Sequence, residues 1–78
     1  MDNVIITIKL SGSAETKDFE IPASMTASEV LAHMDEPFHL KKAGYSLKSG
    51  RTGRTLEQDE TLEEAGVWDG DILSIARQ

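Results

Sequence analysis

Apolar residues occupy every second position from Val4 to Leu10, with Ile5, Thr7 and Lys9 between them, and this period of two gives way to helical spacing after Thr26. A period of two lays one side of an extended strand on a core and turns the other to solvent. The β-branched content of the segment suits a strand as well. Lys17, Phe19 and Ile21 repeat the pattern against Asp18 and Glu20, after a small polar stretch at 11–16 that contains Gly12. The two runs predict an antiparallel hairpin. Pro22 ends it, because proline has no amide hydrogen for a strand ladder.

Thr26 is followed three residues later by Glu29, the spacing of a capping box. Ala27, Val30, Leu31 and Met34 then form one apolar stripe, which predicts an amphipathic helix over 27–35, stopped by Pro37. Phe38 and Leu40 are expected to fold back onto the core. Tyr45 and Leu47 alternate with Ser46 and Lys48 as a short third strand, and 49–55, with Gly50 and Gly53, reads as a loop. A brief fourth strand is expected at Leu56, and one helical turn around Leu62, Ala65 and Val67. Asp69-Gly70 marks a turn, since glycine accepts positive φ. The last strand follows, with Leu73 and Ile75 inward. Strands segregated from one main helix make an α+β fold, with the first and last strands parallel at the centre of the sheet.

Seventy-eight residues suffice for one domain, 1–78, and not for two. There is no cysteine, which excludes disulfides, thiolate metal sites and thiol nucleophiles. A secreted domain this small usually carries disulfides, so a cytoplasmic location is expected. No basic leader precedes an apolar run, and nothing approaches the about 18 apolar residues of a membrane span. Eight Lys and Arg against fourteen Asp and Glu leave a net charge of -6. That surface repels phosphate backbones, so the expected partner is a protein rather than a nucleic acid.

The stretch Arg54-Thr55-Leu56-Glu57-Gln58-Asp59-Glu60-Thr61-Leu62-Glu63-Glu64-Ala65-Gly66-Val67 resembles the segment of ubiquitin-like β-grasp proteins in which a leucine, a turn, a Thr-Leu pair and a buried aliphatic precede the final strand. Gly70-Asp71-Ile72-Leu73-Ser74-Ile75 is similar to the ending of the small bacterial ubiquitin-like proteins YukD and EsaB of type VII secretion. The resemblance implies a β-grasp with a mixed sheet of four to five strands packed on one helix. It further implies a non-catalytic protein-interaction module, an accessory component of such a secretion system. A ubiquitin-like structural subunit of a multicomponent enzyme is the alternative, as is a diverged modifier or sulfur carrier. Modifiers and sulfur carriers end in Gly-Gly, whereas this chain reads Ser74-Ile75-Ala76-Arg77-Gln78 and has no glycine pair, which disfavours adenylation and a thioester at Gln78. Of the outward positions matching ubiquitin's aliphatic patch (Ile5, Ser46 or Lys48, Ser74 or Ala76), only Ile5 is large and apolar.

No residue pattern points to catalysis, a cofactor or a metal. His33 is expected on a solvated helix face near Glu29 and Glu36, and His39 in a loop. Asp69-Gly70-Asp71 and the acidic residues from Glu57 to Glu64 lack the ligand register of a calcium loop. Gly50-Arg51-Thr52-Gly53-Arg54 places two arginines in one hairpin connection, with an anion or a partner as the minority reading. Trp68 is expected to be core-facing or partly buried, closing the open end of the sheet. If exposed, it becomes a candidate interface anchor. Ile5, Arg51, Arg54 and Trp68 are the expected partner-contacting residues.

Overall fold

The computed structural model describes residues 3–40 and 44–77. Five elements follow one another: β1 (Asn3–Leu10), β2 (Thr16–Pro22), α1 (Ala27–Met34), β3 (Tyr45–Ser49) and β4 (Ile72–Arg77). The sheet order is β2-β1-β4-β3. β1 and β2 form the expected hairpin, with Val4 opposite Ile21 and Ile6 opposite Phe19. β1 and β4 run parallel at the centre, pairing Thr7 with Ile72 and Ile8 with Leu73. β3 closes the far edge antiparallel to β4, with Leu47 opposite Ile75.

The hydrophobic period dictates which face is covered. Val4, Ile6, Ile8, Leu47, Leu73 and Ile75 all point inward and are buried, against Ala27, Val30 and Met34 of α1. Leu56, Leu62, Ala65 and Val67 complete the same core from the long connection between β3 and β4. Phe38 is buried and Leu40 packs on the core, as expected of the segment after the helix.

The helix begins at a reciprocal cap. The Glu29 amide donates to Thr26 Oγ1 at 3.2 Å and the Thr26 amide donates to Glu29 Oε1 at 2.9 Å, satisfying two donors that a helix start leaves unpaired. It ends at Met34, with Asp35 as its C-cap, one residue short of the expected 27–35 and ahead of Pro37. The chain continues through a further turn in which the Phe38 amide reaches the Met34 carbonyl at 3.1 Å.

Two expectations need correction. The segment at Leu56 is no strand. It contacts β3 through one isolated bridge, Lys48 to Thr55, and through the Leu56 amide on the Leu47 carbonyl at 2.8 Å. The stretch around Leu62 is a run of turns rather than regular helix. It still carries the capping logic of one, since Thr61 and Glu64 exchange hydrogen bonds at 3.0 Å in both directions.

A candidate protein-docking site

The distinctive surface lies where β4 begins, and a buried carboxylate organises it. Asp71 is only 4% exposed. Its Oδ2 accepts from Ser49 Oγ at 2.6 Å, and its Oδ1 accepts from the amides of Arg51 (3.1 Å) and Ile72 (2.7 Å). Ser49 Oγ in turn accepts from the Thr52 amide at 3.2 Å. The loop after β3 is therefore pinned to the first residues of β4. Gly50 fits there for want of a side chain, since a Cβ would stand 3.1 Å from the Ile72 carbonyl oxygen. Asp69 performs a parallel task. Its Oδ1 accepts from the Ile5 amide at 2.9 Å, and the Gly70 amide donates to the Ile5 carbonyl at 2.8 Å. Gly70 takes φ +89, the conformation the Asp-Gly pair anticipates. Both carboxylates of Asp69-Gly70-Asp71 thus serve backbone amides.

Held in this way, Arg51 lies over the Trp68 ring, its guanidinium carbon 3.7 Å from the ring centroid. Its Nη2 also donates to the Gly66 carbonyl at 3.0 Å. The ring's negative face attracts the cation. Trp68 itself is 61% exposed, contrary to the expectation that it faces or partly enters the core. Val4, Ala23 and Val67 beside it are themselves buried, and the indole stands outside them. It follows directly on the inward Val67, and Arg51 covers its ring.

Arg54 goes elsewhere. It forms a forked pair with Glu60, Nη2 to Oε2 at 2.7 Å and Nη1 to Oε1 at 3.3 Å. That hydrogen bonding, with Glu60's charge, raises the Arg54 pKa. The same bonds, the Glu57 amide and the Arg54 charge hold the Glu60 carboxyl below its ordinary value. The two arginines of one loop are thus separated in role: Arg51 covers the indole, and Arg54 ties the loop to 57–60.

Ile5 is 55% exposed on the outer face of the sheet. Ile72, 46% exposed, shares that face, because it pairs with Thr7 and Ile5 lies two residues before Thr7 on the same strand. On the last strand, sequence reasoning compared only Ser74 or Ala76 with ubiquitin's patch. The parity that turns Leu73 and Ile75 inward already turns Ile72 outward. A groove of about 440 Å³ opens beside Trp68, lined by Val4, Ala23, Glu63, Val67, Trp68 and Asp69. His33 and His39 are exposed, and among the described residues no group of His, Asp and Glu is placed to hold a metal ion. Among those residues, too, no helix is long and apolar enough to cross a membrane. Gln78 lies outside the described residues. Arg77 before it pairs with Tyr45 in the sheet.

A family model described as YukD of the WXG100 protein secretion system (Wss) matches residues 4–75. Among solved structures, a ubiquitin of Caldiarchaeum subterraneum superposes with a TM-score of 0.81 at 26% identity, covering 97% of this chain and 94% of that one. A designed protein based on ubiquitin gives 0.83 at 21% identity, over 99% and 90% of the two chains. The C-terminal ubiquitin-like domain of mouse tubulin-specific chaperone e gives 0.76 at 20%, over 99% and 88%. No curated protein matches the sequence. These likenesses establish the ubiquitin-like β-grasp, as the order of elements anticipates.

Proposed function

The chain belongs to the YukD family of the WXG100 protein secretion system (Wss), and we propose that it serves that system as a non-catalytic docking module on the cytoplasmic side. The observation that carries this reading is the Trp68–Arg51 stack: a large aromatic side chain 61% exposed yet held in one orientation. Tryptophan and arginine dominate the energetics of many protein interfaces, and a pre-ordered side chain loses less entropy when a partner covers it. Ile5 and Ile72 add apolar surface on the neighbouring sheet face. Arg54 contributes chiefly through its pair with Glu60, which keeps the loop carrying Arg51 in shape.

The mechanism is recognition without chemistry. A rigid sheet presents a shaped edge, and no bond is made or broken.

Trp68→Ala is expected to abolish co-purification of the partner from native cells while leaving thermal unfolding within about 1 kcal/mol of wild type, since an exposed side chain buries little surface. Arg51→Glu is expected to weaken the same complex. Undiminished co-purification with both variants would move the interface to another face.

A further inference from the structure

The groove beside Trp68 carries a statement about partner chemistry, and it rests on the docking reading above. Its floor and one wall are apolar: Val4, Ala23 and Val67 are buried, and the indole stands beside them. The other two lining residues are carboxylates, Glu63 and Asp69, both exposed. The Glu63 side chain makes no hydrogen bond or ion pair within the described residues, and Asp69 spends only Oδ1, on the Ile5 amide. Among the described residues, no cation lines the groove. Arg51 lies against the indole and donates to Gly66. The whole chain adds a field of the same sign as the rim, with a net charge of -6.

We infer that this groove receives a cationic, aliphatic segment of a partner protein: an aliphatic side chain against Val4, Val67 and the indole, with flanking lysines or arginines at Glu63 and Asp69. Charge complementarity selects that occupant. Nucleic acids and anionic lipid surfaces carry the wrong sign, and a second copy of this acidic chain is repelled. A wholly apolar segment would leave two rim carboxylates facing it without a partner. Rim charges of this kind act on the rate of encounter and on the choice of partner, and salt screens them.

Trp68 is the sole tryptophan, so its fluorescence reports the groove directly. Two short synthetic peptides without aromatic residues serve as probes, each with central leucines, one flanked by lysines and the other by glutamates. The lysine-flanked peptide is expected to shift Trp68 emission to the blue, saturably and less strongly as salt is raised. The glutamate-flanked peptide is expected to leave it unchanged. Glu63→Lys is expected to weaken the lysine-flanked peptide about tenfold. Should that variant fold poorly by circular dichroism, Glu63→Gln is expected to give a smaller loss in the same direction. No shift, equal affinity for the two peptides, or wild-type affinity in the folded Glu63 variant overturns the inference. A native partner that is lost on Trp68→Ala, combined with a lysine-flanked peptide that does not bind, overturns the charge assignment and leaves the docking reading standing.

Discussion

Asp71 shows how one buried side chain sets the shape of an exposed one. A carboxylate out of water is tolerated when donors surround it, and Asp71 has three: Ser49 Oγ and the amides of Arg51 and Ile72. Those bonds fix the loop start, and the loop start aims Arg51 at Trp68. Asp71→Ala would leave fully buried Ser49 and the two amides short of an acceptor. It is expected to cost about 1–3 kcal/mol in urea unfolding. Because Arg51 would lose its anchor, the Trp68 emission spectrum of the folded variant is expected to change as well. An unchanged spectrum would mean that the stack with Trp68 holds Arg51 without help from Asp71.

Among the elements, β4 is one of the two central strands. It lies between β1 and β3, with Leu73 and Ile75 buried in the core. Its parallel pairing with β1 joins the two ends of the chain, a contact that no local turn can supply. Leu73 is fully buried, and its truncation would leave a cavity in the core. Leu73→Ala is expected to cost roughly 2–5 kcal/mol, measured by denaturant unfolding. The neighbouring Ile72, outward and 46% exposed, is expected to tolerate the same truncation with a much smaller loss. That contrast between adjacent residues is what a period of two requires, and equal losses at both would refute the assigned faces.

At the scale of the molecule, the net charge of -6 sets the sign of the surface and its response to acid. Most of the carboxylates of the described residues are exposed. Glu60 is different, since Arg54 and the Glu57 amide stabilise its ionised form and depress its pKa in the folded chain. A depressed carboxylate adds stability that is fully present above its unfolded value of about 4.3 and disappears as pH falls through the lower folded value. The stability gap between wild type and Glu60→Gln is therefore expected to be constant near neutrality and to close on the acid side of that value. Urea unfolding at a series of pH values measures it. A gap that widens in acid would contradict the Arg54–Glu60 assignment.

Much of this architecture was legible in the amino-acid order alone. The alternation from Val4 to Leu10, the Thr26–Glu29 cap and the Asp69-Gly70 turn are local signals, because each depends on residues close in the chain. From them followed the hairpin and the helix, and from the order of the elements the parallel central pair. Tertiary structure alone decided the fate of Trp68, the partners of Arg51 and Arg54, and the demotion of the Leu56 segment to a single bridge. Each of these depends on competition for space or for hydrogen bonds between segments distant in sequence. Trp68 stands outside Val4, Ala23 and Val67, buried residues that arrive from three different stretches, and beneath Arg51 from a fourth. No window of neighbouring residues contains that fact.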